Sequence, residues 1–386
     1  MPRRVRRPFV FLAALVLVLS ASPIAAAAPG GAASESVIVV FHERVANPVA
    51  LAQQLGRQHG FAARYVYQHA LKGFAASLSS SAVEALSHNP NVAWVEADGP
   101  VRLVDTQYDS TWGLDRIDQR ALPLSGTYTY ANTGYGVTAY IIDTGIRTSH
   151  TEFGGRASVG FDTFGGNGED CHGHGTHVAG TTGGATYGVA KAVILVAVRV
   201  LDCNGSGSWS GVIAGIDWVT GNHVGTAPAV ANMSLGGGAN NSVDTAVRNS
   251  IADGVSYAIA AGNGNFIGRA QDACKYSPAR VTEAMTIGAT DKTDTKASWS
   301  NYGNCVDWFA PGVGITSAWG TSDTATNTIS GTSMATPHTT GVAALYLQGN
   351  SSASPQVVRD ALYANTTKGV VKSSKTANNH LLFTDY

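Results

Sequence analysis

Charge is scarce in this sequence. Only 13% of its 386 residues are Asp, Glu, Lys or Arg, and 25 basic against 26 acidic side chains leave a net charge of −1. A surface so balanced has no excess of cations to displace counterions from phosphates, so no nucleic-acid partner is expected. Cysteine is also rare. Four residues are too few for a disulfide scaffold but allow two bridges, in any of three connectivities. Long apolar runs are missing: the best candidate, residues 9–19, is too short to cross about 30 Å of hydrocarbon as a helix, and no membrane partner is expected. The HExxH signature of zinc peptidases is absent too. Glycine, by contrast, is abundant at 45 residues against a usual ~7%, without a Gly-X-Y period. Hydrophobic residues make up 44%, enough for a sizeable core.

The first 28 residues have three parts. Arg3, Arg4, Arg6 and Arg7 form a basic start, residues 9–19 an apolar run, and Ala25 to Ala28 a small-residue end. This is the pattern of a secretory signal at 1–28, and it makes the protein secreted, with cysteines in an oxidising setting. Arg6-Arg7-Pro8-Phe9 loosely resembles a twin-arginine signal, and the export route stays open. Residues 29–104 form a small unit. Strands are predicted at 36–41 and 92–96, one extended stretch at 65–78, and helices at 48–59 and 80–86, which suits a small α+β sandwich.

From residue 105 to 386 the texture changes. Short, nearly continuous apolar runs at 137–142, 192–200, 229–233 and 255–261 alternate with helical patterns. They predict an α/β fold, a mostly parallel sheet covered by helices on both faces. Sites in such sheets gather beyond the carboxyl ends of the strands. Four polar positions fall there or at helix starts. Asp143 ends Tyr140-Ile141-Ile142-Asp143 and, taken alone, is equally a turn residue beside Gly145. His174 lies in Asp170-Cys171-His172-Gly173-His174-Gly175-Thr176-His177, where a helix beginning near Gly175 would send the three histidines in different directions, against a metal triad. Asn263 sits between glycines after an apolar strand, as an αL turn residue would. Ser333 stands at the start of a helical run, as an N-cap would; Met334 and Ala335 follow it, so it is not the GxSxG elbow. Together they answer one chemical need. A serine oxygen requires a base, the base an orienting carboxylate, and the developing oxyanion a donor.

Three blocks carry a resemblance to the subtilisin-like serine proteases: Ile141-Ile142-Asp143-Thr144-Gly145, His174-Gly175-Thr176-His177-Val178-Ala179-Gly180 and Gly331-Thr332-Ser333-Met334-Ala335-Thr336-Pro337-His338. Trp112-Gly113-Leu114-Asp115-Arg116-Ile117-Asp118-Gln119 and Asn232-Met233-Ser234-Leu235-Gly236-Gly237 are similar to the proteinase K branch, close to the aqualysin-type enzymes. The resemblance implies that Ser333 is nucleophile, His174 base, Asp143 its orienting acid and Asn263 an oxyanion donor, with His177 and His338 structural. It implies a substrate strand between Gly205, Ser206 and Gly207 on one side and Ser234, Leu235 and Gly236 on the other. Ala260 and Gly262 would wall the pocket for the residue before the scissile bond, with an apolar or aromatic preference there. It pairs Cys171 with Cys203 and Cys274 with Cys305. It implies structural calcium and no catalytic metal, with Asp307 and the carbonyls of Thr282 and Ala284 at one site, and Asp115, Asp118 and Gln119 at another. At the second site, Ser125 and Thr127 stand where some relatives carry stronger ligands.

The expectation is a secreted, broad-specificity serine endopeptidase acting on polypeptides as a monomer. Residues 29–104 resemble the inhibitor-type propeptide of that family, so the chain's own propeptide would inhibit it until a cut near Val104–Asp105. An esterase with the same triad, an inactive binding module and a narrow processing enzyme are the alternatives.

Overall fold

The structure is a computed structural model that describes residues 34–99 and 105–386. The signal expected at 1–28 lies outside the described residues, as does Val104 beside the expected cut. The chain forms two compact units that divide at 101/102.

The first unit contains β1 (Ser34–Phe41), α1 (Pro48–His59), β2 (Tyr65–Tyr67), β3 (Gly73–Ser79), α2 (Ser80–Ser87) and β4 (Val92–Ala97). Its antiparallel sheet runs in the order β2-β3-β1-β4. Asn47 caps α1 by accepting from Ala50 N–H at 2.9 Å, and Gly60 ends it at φ 73°. Val39, Phe41, Leu55, Phe74 and Leu86 fill the core. The single extended stretch expected at 65–78 is instead a hairpin, because Tyr67 pairs with Gly73 and the chain reverses between them. Gly73 suits the narrow gap there: a Cβ would stand 2.2 Å from the Val39 carbonyl oxygen.

The second unit begins with β5 (Asp105–Tyr108), which pairs with β6 (Thr127–Tyr130) around α3 (Trp112–Ile117). Then come β7 (Thr138–Asp143), β8 (Ala157–Asp162), α4 (His174–Gly183), β9 (Ile194–Arg199), α5 (Trp209–Asn222) and β10 (Ala229–Met233). The two-residue strands β11 (Gly237–Gly238) and β13 (Tyr276–Ser277) pair with each other, and between them lie α6 (Asn241–Asp253) and β12 (Ser256–Ala260). The chain closes with β14 (Met285–Thr290), β15 (Trp308–Pro311), the hairpin β16 (Ile315–Ala318) and β17 (Thr326–Ile329), α7 (Thr332–Gly349) and α8 (Pro355–Asn365). The main sheet has seven strands, all parallel, in the order β15-β14-β12-β10-β7-β9-β8.

Period-two alternation explains the two covering layers. Ala139 and Ile141 of β7 share a core with Val178 of α4 and Val342 and Leu345 of α7. Tyr140 and Ile142 face the other way, toward Val212 and Ile216 of α5 and Val243 and Val247 of α6. Helix α7 is buried along almost its whole length, so it carries no polar face. Strand β7 leads one way to β8 and β9, while β10 starts the other half. The order therefore switches between β7 and β10, where a parallel sheet opens a crevice beyond its carboxyl ends.

Candidate active site

Asp143 is the last residue of β7 and is fully buried. Its Oδ1 accepts from the Thr144 backbone N–H at 2.8 Å and from His174 Nδ1 at 2.7 Å. His174 opens α4, one residue earlier than the sequence suggested. A carboxylate accepts only, so Nδ1 carries the proton and Nε2 presents a lone pair. Burial works against the charged ring, but the Asp143 charge, its hydrogen bond and the Asp170 charge together leave the His174 pKa above its usual value.

Ser333 is the second residue of α7. Its Oγ donates to the Ser234 carbonyl at 3.1 Å, and among the described residues no hydrogen bond joins it to His174. Asp143 and His174 are thus oriented toward each other, while the serine hydroxyl points to β10's end. Pro337 lies four residues further along α7 and has no N–H for the Ser333 carbonyl. Ser234 Oγ–H supplies the missing donor at 2.9 Å. Asn232 Nδ2 holds that hydroxyl at 2.8 Å, and Thr340 Oγ1 holds Asn232 Oδ1 at 2.9 Å.

Asn263 follows β12. Its Oδ1 accepts from the Thr332 N–H and the Thr332 hydroxyl, both at 2.8 Å. The Thr332 hydroxyl in turn accepts from Gly262 N–H at 3.1 Å. The amide oxygen is therefore fixed, and the NH₂ group faces the Gly331–Ser333 turn, where a Cβ on Gly331 would be 3.4 Å from it. Met334 N–H bonds the Gly331 carbonyl at 3.0 Å, and Ser333 N–H has no acceptor among the described residues. That is the ordinary condition of a helix's first turn.

One cleft is lined by His172, His174, Gly205, Ser206, Gly207 and Trp209; an adjoining one by Ala260, Gly262, Asn263, Tyr276, Asn301 and Ser333. Ser234, Leu235 and Gly236 line both. No carboxylate or ammonium lines the second cleft. Gly205 and Ser206 do not offer free edge amides: Gly205 N–H bonds the Asp202 carbonyl at 3.0 Å, and Ser206 N–H bonds Asp202 Oδ1 at 3.0 Å. The Gly262–Gly264 wall is clamped by the buried Asn301, whose Oδ1 takes Gly264 N–H at 3.1 Å and Gln271 N–H at 2.8 Å. Sequence reasoning missed Asn301, whose partners lie 37 and 30 residues away, and gave Thr144 and Thr332, though inside the resemblance blocks, no role of their own.

His177 and His338 are buried and bonded to carbonyls, Ile315 at 3.0 Å and Met334 at 2.9 Å. Burial is the main cause that pushes each pKa down to about 4. The cysteines pair Cys171–Cys203 and Cys274–Cys305.

The two implied calcium sites differ in fit. At Asp307, Oδ1 accepts from Arg359 Nη2 at 2.5 Å and Oδ2 from Thr286 N–H at 2.8 Å, while Arg359 Nε reaches the Ala284 carbonyl at 3.3 Å. Thr282 is exposed. A guanidinium already bridges Asp307 Oδ1 and the Ala284 carbonyl, two of the three groups implied as ligands, so this arrangement does not fit a calcium ion. At the other site Asp118 Oδ1 is buried without a partner. Burial, then the Asp115 charge against a bond from Thr129, raises the Asp118 pKa to about 6. Asp115 Oδ1 takes Ser125 N–H and Oγ–H, both at 3.0 Å, and Gln119 Oε1 takes Ser125 N–H at 3.1 Å. Asp115 Oδ2 accepts from Gly126 N–H at 2.7 Å, so Asp118 Oδ1 is the carboxylate oxygen left free, and the all-oxygen set of Asp118, Asp115, the Gln119 amide and the Ser125 and Thr127 hydroxyls is of the kind a hard cation takes. Among the described residues no cluster of three or more His, Cys, Asp or Glu could hold a metal.

An acid–imidazole pair, a helix-start serine and an aimed amide, gathered over the switch point of a parallel sheet, are the parts of a serine hydrolase. The subtilase family profile (peptidase S8) matches residues 134–382, and that of the I9 peptidase inhibitors residues 33–104. An extracellular serine proteinase of Thermus sp. (strain Rt41A) is 60% identical over 324 residues, 83% of this chain and 77% of the relative. Alkaline serine exoprotease A of Vibrio alginolyticus is 52% identical over 326 residues, 82% of this chain and 59% of the relative. The crystal structure of a cold-adapted subtilisin-like serine proteinase matches with TM-score 0.68 and 52% identity, over 71% of this chain and 98% of that one. This chain belongs to the subtilase family. It is a secreted serine endopeptidase carrying an inhibitor-type domain ahead of its catalytic unit, and among the described residues no helix is long and apolar enough to cross a membrane.

Proposed function

We propose that Asp143, His174 and Ser333 hydrolyse peptide bonds with Asn263 as oxyanion donor, and that the Asp143–His174 bond of 2.7 Å carries the reading. The Ser333 hydroxyl turns from the Ser234 carbonyl to His174 Nε2 when a substrate arrives. Nε2 takes its proton as Oγ attacks the carbonyl carbon. The Asn263 NH₂ and the Ser333 N–H then stabilise the oxyanion, and the imidazolium, held against Asp143, returns the proton to the leaving amine. Water repeats the sequence on the acyl-enzyme.

The substrate lies extended as an added strand, which reads backbone and gives broad specificity. Leu235 and Gly236 form one edge, and Gly207 the other, since Gly205 and Ser206 are spent in their turn. The uncharged second cleft, walled by Ala260 and Gly262, favours an apolar or aromatic side chain. Residues 29–104 inhibit the 105–386 catalytic unit, and the enzyme, a monomer, cuts itself near Val104–Asp105. Asp115, Asp118 and Gln119 would hold a structural calcium ion together with the Ser125 and Thr127 hydroxyls, and its bonds would add rigidity to the 115–127 segment.

Fluorophosphonate labelling tests the nucleophile. Mass analysis should find the probe on Ser333, and no labelling of the folded mature protein would refute the site. Ser333→Ala should accumulate unprocessed chain, and its normal maturation in a protease-free system would refute self-cleavage.

A further inference from the structure

We infer that Asp170 is a positioning residue for the reaction, a second buried carboxylate that fixes the placement of His174 relative to Asp143. This rests on the triad reading above.

Helix α4 lacks a side-chain cap. Helix α4 begins at His174, and its N-cap position is Gly173, which has no side chain and sits at φ 107°. The first-turn N–H groups still need acceptors. Gly175 N–H finds the Thr144 hydroxyl, and Asp170 takes Thr176 N–H together with the N–H groups just before the helix. Its Oδ2 accepts from Thr176 N–H at 2.9 Å and Thr176 Oγ–H at 2.6 Å. Its Oδ1 accepts from His172 N–H at 2.9 Å, Gly173 N–H at 2.8 Å and Thr144 Oγ–H at 2.9 Å. Five donors converge on one carboxylate that is only 8% exposed.

The Thr144 bond makes the arrangement more than a cap. Thr144 follows Asp143, and its hydroxyl also accepts from Gly175 N–H at 2.9 Å. The residues on both sides of His174 are therefore tied, through one carboxylate and one hydroxyl, to the residue next to the acid. A cross-link of this kind restricts how far the imidazole can shift from the acid, and misplacements of about 1 Å can cost about a hundredfold in rate. Close packing leaves no slack, since a Cβ on Gly175 would stand 2.1 Å from the Gly145 carbonyl oxygen.

Asp170 also adds its charge. The titratable groups around His174 are Asp143 from β7, Asp170 and His172 from the preceding loop, and His177 one turn along α4. The two carboxylates favour the imidazolium and the two other histidines do not. The reactive form is the neutral ring, so a charge that favours the imidazolium moves the acid limb of activity to higher pH. Removing it moves the limb to lower pH.

The test is the rate of fluorophosphonate labelling at Ser333 against pH, on the mature enzyme. Asp170→Asn keeps the shape and removes the charge; its acid limb should move to lower pH and its plateau rate fall at least threefold. Thr144→Val breaks the cross-link without changing charge, so its plateau should fall with the limb unmoved, and Thr144→Ser, which keeps the hydroxyl, should restore the plateau. If Asp170→Asn does not fold, the two Thr144 variants carry the test. A wild-type limb and plateau in Asp170→Asn, or equal plateaus in Thr144→Val and Thr144→Ser, would overturn the inference. Failure of the wild type to label at Ser333 would instead overturn the triad reading, and this inference with it.

Discussion

The two disulfides offer a controlled comparison of stability against function. Cys171 and Cys203 enclose a separation of 32 residues, Cys274 and Cys305 one of 31. In the chain-entropy account a closed loop of about 32 residues removes about 12 cal/mol/K from the unfolded ensemble, or about 3.7 kcal/mol at 25 °C. The two bridges should therefore stabilise the catalytic unit almost equally. Their surroundings differ. Cys171 directly follows Asp170 and precedes His174 by three residues, and Cys203 stands two residues before Gly205 in the cleft wall. The other bridge follows Gln271 by three residues and Asn301 by four, and the Gly262–Gly264 wall is tied to Gln271 by the Asn301 side chain. Paired Cys→Ser replacements, C171S/C203S and C274S/C305S, should each cost about 3.7 kcal/mol in urea unfolding. Tryptophan fluorescence is a suitable probe because six of the seven tryptophans follow residue 105. A Ser333→Ala background removes autolysis. In the active background, C171S/C203S should lower kcat several-fold while C274S/C305S stays within about twofold. Equal losses of kcat in both would refute the functional half of the reasoning. Stability losses that differ by more than about 1.5 kcal/mol would refute the entropic half.

Two further outcomes follow from buried groups. His177 and His338 stay neutral in the fold down to about pH 4, whereas in the unfolded chain they charge below about 6.5. Depressed folded-state values mean stability that is present above 6.5 and lost as pH falls toward 4, worth about 3 kcal/mol for each ring; His174, with a raised value, works in the opposite sense. Urea midpoints of the Ser333→Ala protein should drop steeply between pH 7 and 4.5, His338→Gln should flatten the slope, and a flat wild-type profile would contradict the assignment. For calcium, Asp118→Asn should abolish the rise in melting temperature on adding calcium and should stabilise the calcium-free form, because it removes a half-buried charge whose Oδ2 is bonded by Thr129 N–H but whose Oδ1 has no partner; an undiminished calcium response in this variant would exclude the site.

Much of the fold was legible because buried parallel strands write themselves as apolar runs. The run at 229–233 is the whole of β10, and 255–261 holds β12 with one residue to spare at each end. The run at 192–200 overshoots: β9 begins only at Ile194, because Val193 N–H closes a turn on the Ala190 carbonyl. Hydrophobicity reports burial, and the turn is as buried as the strand. The break inside 65–78 was hidden for a related reason. A hairpin reversal needs a turn, but residues 68–72 carry no Asn-Gly or Asp-Gly pair to announce one.

The site divides along a different line. Asp143, His174, Asn263 and Ser333 were visible because each sits at an element end, where a polar residue interrupts an apolar pattern. What holds them is made by residues whose partners lie far along the chain. Thr332 meets Asn263 across 69 residues, Ser234 meets Ser333 across 99, and Arg359 meets Asp307 across 52. No spacing rule links such pairs, so an arginine 52 residues away could turn an expected calcium ligand into half of an ion pair without leaving a trace in the local sequence. Pro337 reads, by local rules, as a break in α7; in the fold it leaves the Ser333 carbonyl without its helical donor, and Ser234 takes the vacancy. A residue that looks like a fault in its own helix is thereby part of how the Ser333 backbone is anchored to the end of β10, and that coupling exists only once the sheet has brought the two elements together.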